Sequence, residues 1–263
     1  MGRVYTLVNQ KGGVGKTTTA INLGACMARL GQKVLIVDID PQANATSSLG
    51  VNKHAIKGGV YESLFSEVKV ASLILLNQRL KLSLLPSSPA LAGAEVELVN
   101  ELGRESKLKQ ALTPICDQYD YVIIDCPPSL GLLAINGLMA AREGVIIPVQ
   151  CEYLALEGIG ELMRTIQRVR AALYPGLKVR GVVMTMFDGR THLSSDVVAE
   201  VRKYFAAQVF ETIIPRSIRL AEAPSYGLPI CDYAPGSHAS LAYEALAAEV
   251  LNGDGVHFQK LEE

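Results

Sequence analysis

A single doubly wound α/β domain with a mostly parallel sheet is the fold this sequence predicts. Three observations carry the expectation. Short apolar runs alternate with segments of helical period along most of the 263 residues, the pattern of strands joined by crossover helices. Hydrophobic residues make up 49%, aromatics only 6%, and Trp is absent, so the core is aliphatic, as suits parallel strands covered on both faces. The first apolar run opens directly into a glycine-rich turn and then a helix, VNQKGGVGKTTT, residues 8–19.

Taken in order, VYTLV (residues 4–8) is a strand that ends in the glycine turn. TTTAINLGACMARLG follows with apolar residues at helical spacing and Gly31 as its stop. KVLIVDID (33–40) is a buried strand ending in acids, so the first 40 residues read β–loop–α–β with a right-handed crossover. NATSSLGV is turn-rich, and 80–85 reads as a strand. Residues 95–112 read as one charged amphipathic helix, and YDYVIIDCPPS (119–129) as a strand stopped by two prolines. Residues 144–149, 179–188 and 211–214 complete the strands; 157–173, 194–205 and 240–251 are the remaining helices. The domain is expected to span 1–251, with 252–263 as a flexible tail.

Composition narrows the function. No apolar run approaches a membrane span, and polar Asn9, Gln10 and Lys11 interrupt any signal-peptide pattern, which points to a cytoplasmic protein. Cys26, Cys116, Cys126, Cys151 and Cys231 lack C-x-x-C spacing and read as reduced, buried thiols. Net charge is −1, which argues against a globally basic nucleic-acid binder. The charge is uneven, however. Residues 161–220 carry 10 Lys and Arg against 5 Asp and Glu, and 221–263 carry 1 against 7, so one basic face is available.

The glycine turn is the most specific signal. The common phosphate loop, G-x-x-x-x-G-K-[ST], needs glycine where Gln10 stands, and here a second lysine, Lys11, precedes the glycines. The physical device is intact nonetheless. Gly12, Gly13, Val14 and Gly15 can turn successive backbone N–H groups toward phosphate at a helix N-terminus. Lys16 would reach the β- and γ-phosphates, Thr17 would offer its hydroxyl to Mg²⁺, and Thr18 would meet the α-phosphate. A dinucleotide fingerprint is excluded because Thr18 stands where its third glycine belongs. Asp38 and Asp40 lie on one face at the carboxyl end of a strand, where open α/β sheets bind ligands. Asp38 is expected to support the Mg²⁺ shell, and turn capping is the alternative for either acid beside Pro41. Asp125, ending YVIID, has the Walker B placement and would hold Mg²⁺ directly or through water.

NQKGGVGKTTTAINL, VLIVDIDPQANATSSLG, YVIIDCPPSLG and IIPRSIRLAEAPSYGLPI together resemble the ParA/Soj family of partition ATPases, within the deviant Walker A group of phosphate-loop NTPases. The resemblance covers nearly the whole chain. It implies that Lys11 crosses a dimer interface to the phosphates of the partner's ATP, and that Asp40 positions the attacking water in a slow hydrolysis. It implies that Cys126, Pro127 and Pro128 form a switch beside the γ-phosphate, and that the segment containing Pro215 and Ser217 cradles adenine. Relatives often carry Asn where Ser217 stands. Arg190 and Arg219 match DNA-binding positions. The implied cofactors are ATP and Mg²⁺. The implied partners are a second copy of the chain, non-specific double-stranded DNA and a ParB/Spo0J-like centromere-binding protein, with a nucleoid-associated location. The competing readings are a MinD-like membrane-positioning ATPase, which needs a basic amphipathic tail helix, and an electron-transfer ATPase with cysteines bridging a cluster between subunits. The tail LNGDGVHFQKLEE is short and acidic, and Cys126 and Cys151 qualify only by residue type.

Overall fold

The computed structural model describes residues 2–66, 68–153 and 155–256. Among them, eight strands form one sheet: β1 (Arg3–Leu7), β2 (Val34–Asp38), β3 (Leu75–Asn77), β4 (Leu82–Leu85), β5 (Tyr121–Asp125), β6 (Gly144–Gln150), β7 (Val179–Phe187) and β8 (Val209–Pro215). Their spatial order is β3-β4-β2-β5-β1-β6-β7-β8, and among these described strands only the β3–β4 pair is antiparallel. The doubly wound, mostly parallel expectation holds. β1 lies between β5 and β6, so the chain reverses its direction of travel across the sheet there. That reversal opens the crevice at the strands' carboxyl ends in which α/β sheets hold ligands.

Helices cover both faces. Lys16–Arg29 and the closing helix His238–Gly253 pack on one side, where Leu23, Met27, Ile36, Ile123, Tyr243 and Leu246 form a single apolar cluster. Leu91–Leu98, Lys107–Leu112 and Leu132–Ala140 cover the other side through Leu91, Leu108, Leu133 and Ile124. Ala155–Ala172 and His192–Phe205 complete the layer over β6 and β7.

Three expectations change. Residues 95–112 are not one helix: the chain turns through Gly103 at φ +65° and resumes at Lys107. Leu132–Ala140 is a helix that periodicity does not reveal, because LLAINGLMA is apolar nearly all round. The expected tail also starts too early. The closing helix runs to Gly253, and Asp254 is clamped beneath the sheet. Its carboxylate accepts from Tyr5 Oη (2.7 Å), Tyr121 Oη (3.0 Å) and Arg180 Nε (3.2 Å), while Arg3 Nη2 donates to its carbonyl (2.8 Å). Residues 257–263 of that tail lie outside the described residues.

This clamp carries a prediction. The Asp254 side chain is only 6% exposed, so deleting it removes the acceptor shared by Tyr5, Tyr121 and Arg180 and the ion-pair partner of Arg3. Asp254→Ala should cost about 1.5–3 kcal/mol, the range for losing hydrogen bonds to a charged group, because the Arg180 and Arg3 side chains keep 22% and 33% exposure. Urea unfolding checks it, and a loss below about 1 kcal/mol, within the range of an exposed pair, contradicts it.

Candidate nucleotide site

β1 leads into the glycine turn, and Gly15 caps the helix Lys16–Arg29 at φ +89°. Gly13 is also left-handed, at φ +77°, so both positions need glycine. A Cβ at Gly12 or Gly13 would meet nothing within 4 Å, so the outer side of the turn is open to a ligand. The helix starts with no side-chain cap and no acid in its first turn, leaving its N-terminal partial positive charge uncompensated. Thr185 on β7 fixes the turn from below by donating to the Val14 carbonyl (2.9 Å).

β2 and β5 pair in register so that Asp38 lies opposite Asp125, both fully buried. Asp40 is 5% exposed and Lys16 6%. Three carboxylates are therefore sunk beside one ammonium. Burial pushes the Asp125 carboxyl well up, and the neighbouring Asp38 charge adds to it; Thr17 and Lys16 pull the other way. Burial likewise lifts Asp38, to about 6, and lowers Lys16, although Asp125 opposes that shift. Thr17 Oγ1 donates to Asp125 Oδ2 (2.7 Å), while Asp125 Oδ1 is buried with no partner among the described residues. A buried orphan oxygen, a neighbouring hydroxyl and surplus negative charge are what a hard divalent cation satisfies. The residues fit Mg²⁺ coordinated jointly with phosphate.

Asp38 is held by three protein donors. Its Oδ2 accepts from both the backbone N–H (2.8 Å) and the hydroxyl (2.7 Å) of Thr46, and its Oδ1 from the Asp40 N–H (3.2 Å). With three protein donors on its two oxygens, it anchors the following loop. Asp40 sits on that loop near enough to Lys16 to act on its charge, and its Oδ1 accepts from the Gln42 N–H (2.9 Å).

Lys11 and Lys16 diverge. Lys16 Nζ donates to the Lys11 carbonyl (3.1 Å), across the cradle. The Lys11 ammonium turns outward and pairs with Glu152 after β6, each side chain more than a third exposed. Buried Asn9 ties this geometry to the sheet: its Nδ2 donates to the Pro148 carbonyl (2.8 Å), and its Oδ1 accepts from the Lys11 N–H (3.0 Å). Cys126 is fully buried and Cys151 nearly so, and neither presents a thiolate for a cluster shared with another subunit.

Pro215 ends β8 against Phe187, and Ser217 precedes the short helix Ile218–Glu222. Arg219 is exposed on that helix. Arg190 is 87% exposed and donates two hydrogen bonds to Asp188 (2.9 and 2.7 Å), which holds that carboxyl well below the usual carboxylate range. Arg216 flanks the same aspartate. The basic face is narrower than the composition suggests. Arg180 is committed to Asp254, Arg170 donates to the Leu177 carbonyl, and Arg202 pairs with Glu211.

A family model described as an AAA domain matches residues 2–179. The chain is 51% identical over 250 residues to the Sporulation initiation inhibitor protein Soj of Bacillus subtilis (strain 168), covering 95% of this chain and 98% of that protein. The chain belongs to the ParA/Soj family of partition ATPases. A second ParA/Soj relative, the Chromosome-partitioning ATPase Soj of Treponema pallidum, is 48% identical over 97% of this chain and 99% of its own. The ParA/Soj fold also matches a solved structure of cobyrinic acid a,c-diamide synthase from Mycobacterium smegmatis with bound ATP analog and magnesium. Its TM-score is 0.85 and its identity 38%, over 97% of this chain and 96% of that one.

Proposed function

We propose that this chain is an ATP-driven DNA-partition switch. Two copies close face to face over two Mg-ATP molecules, the closed pair binds double-stranded DNA without sequence preference, and hydrolysis reopens it. A ParB-like centromere-binding protein accelerates that step, and the protein works in the cytoplasm on the nucleoid. One observation carries the reading most: the fully buried, unpartnered Asp125 Oδ1 beside Thr17 and an open glycine cradle. The partition branch is favoured over synthase chemistry by similarity, 51% against 38%.

The chain's own residues divide the work. The turn Gly12–Gly13–Val14–Gly15 and Thr18 bind phosphate through backbone and helix terminus, and Lys16 bridges the β- and γ-phosphates. Thr17 and Asp125 would hold Mg²⁺, Asp125 directly or through water, and the ion would supply positive charge against the triphosphate. Asp40 orients the attacking water. Lys11 leaves Glu152 and reaches the partner's phosphates. Pro215 and Ser217 flank the adenine. Hydrolysis is slow because phosphoryl transfer here relies on positioning and charge without a second base.

Arg190 and Arg219 supply DNA phosphate contacts, which position without reading sequence. A single face binds weakly; joining two makes the second contact intramolecular and raises affinity steeply. A membrane-positioning role of the MinD type would need a basic amphipathic helix free to lie on a lipid surface. Among the described residues no helix is long and apolar enough to cross a membrane. The closing helix already buries Tyr243, Leu246, Ala247, Val250 and Leu251 against the core.

Retention of a labelled duplex of arbitrary sequence, with ATP, ADP or no nucleotide, tests the reading. Retention should require ATP and fall steeply between about 50 and 200 mM salt, and Arg219→Ala should lower it for every sequence alike. Equal retention with ADP and ATP would show that nucleotide does not govern DNA binding.

A further inference from the structure

We propose that Ser87 and Thr46 are positioning residues for Asp40, with Asp38 as the anchor they share. This rests on the reading of Asp40 as the residue that orients the attacking water. The Asp40 backbone is held from both sides. Its N–H donates to Asp38 Oδ1 (3.2 Å), and its carbonyl accepts from Ser87 Oγ (2.7 Å) and from the Ala43 N–H (2.8 Å). The Ser87 N–H donates to Thr46 Oγ1 (2.9 Å), and Thr46 Oγ1 donates onward to Asp38 Oδ2 (2.7 Å). The bonds close a ring: Asp38, Asp40, Ser87, Thr46 and back to Asp38.

The ring joins three separate pieces of chain. Asp38 ends β2, Thr46 lies in the short helix Asn44–Ser48, and Ser87 follows β4. Ser87, Thr46 and Asp38 are fully buried, so water does not replace a missing member. The Thr46 hydroxyl is used as both donor and acceptor, and its one proton is committed to Asp38, which fixes the direction of every bond in the ring. The loop needs such support. Ala43 takes φ +52°, a left-handed conformation that a residue with a side chain keeps only where its surroundings over-determine it.

The loop contributes positioning and no chemistry of its own. Among the described residues Thr46 and Ser87 make no hydrogen bond to the glycine turn; the ring meets the site through Asp40 and through Asp38, which lies opposite Asp125. A shift of about 1 Å in a group that orients a reactant can cost on the order of 100-fold in rate, while phosphate binding at the separate glycine turn is untouched. The consequence is a split: the hydrolytic step suffers and ATP affinity does not.

Single-turnover hydrolysis of labelled ATP, with ATP affinity and thermal melting measured in parallel, tests this on Ser87→Ala, Thr46→Val, Thr46→Ser and Asp40→Ala. Ser87→Ala and Thr46→Val should slow the bound step about tenfold or more, with ATP affinity within about twofold of wild type. Thr46→Ser keeps the hydroxyl and should hydrolyse at close to the wild-type rate. Should Thr46→Val fail to fold, Ser87→Ala, which removes a single oxygen, carries the test alone. Wild-type hydrolysis by Ser87→Ala, alongside an inactive Asp40→Ala, overturns the proposal and leaves the role of Asp40 standing. Wild-type hydrolysis by Asp40→Ala removes the reading of Asp40 itself.

Discussion

Lys11→Ala protein is expected to bind Mg-ATP as a monomer and to lose nucleotide-dependent DNA retention. The glycine cradle, Lys16 and Thr17 are untouched by the change, so each copy keeps its own phosphate contacts. What disappears is the cation that one copy would lend the other. Two facing triphosphates bring a large negative charge into one interface, and removing a partner from a buried charge contact there costs about 2–5 kcal/mol. Both copies lose that contact, so the dimer loses about 4–10 kcal/mol and its affinity should fall by roughly a thousand-fold or more. The starting position of Lys11 makes the transfer easy. Its pairing with Glu152 is partly exposed on both sides, and such surface pairs contribute little. Light scattering with a slowly hydrolysed ATP analogue checks this. A Lys11→Ala dimer of wild-type affinity would remove the cross-subunit role.

Asp125→Asn should act in opposite directions on the free and the loaded protein. In the free chain the Asp125 carboxylate is buried beside Asp38 and Asp40, and its proton affinity is raised chiefly by burial. A carboxyl with a raised folded pKa loses stability as pH rises from the ordinary carboxylate range through the folded value. At pH 8 the wild-type free protein therefore carries that penalty, and the amide does not. The variant should melt several degrees higher than wild type without nucleotide, at about 2–4 °C per kcal/mol for a domain near this size. The advantage should shrink as pH falls toward the ordinary carboxylate range, where the folded and the unfolded carboxyl both bind a proton. With Mg-ATP the order reverses, because the stabilisation a ligand supplies scales with its affinity and the amide lacks the charge that favours the cation. Calorimetry at two pH values, with and without Mg-ATP, measures both effects. An unchanged Mg-ATP stabilisation in Asp125→Asn would contradict the metal assignment.

Much of this was legible in the sequence, for a physical reason. Parallel strands buried on both faces leave continuous apolar runs, so β1, β2, β5 and β6 stand out. The phosphate turn is local, so its geometry follows from a dozen consecutive residues. What escaped was either short, uniformly apolar or tertiary. β3 has three residues, two of them exposed leucines. Leu132–Ala140 is buried nearly all round and shows no period. Thr46 and Ser87 look like ordinary turn residues, because their bonds to each other and to Asp40 span 41 and 47 positions. Arg180 reads as part of a basic face, yet Asp254, 74 positions away, draws it under the sheet. Counting charges along a chain cannot separate an arginine that faces solvent from one spent on a carboxylate.

The central claim is that ATP itself joins two copies of this chain. Sedimentation velocity of Asp40→Ala protein saturated with Mg-ATP tests it most directly, because the variant should hold its nucleotide without turning it over. The account predicts a dimer that reverts to monomer when ATP is exchanged for ADP. A single monomeric boundary at saturating Mg-ATP would contradict it.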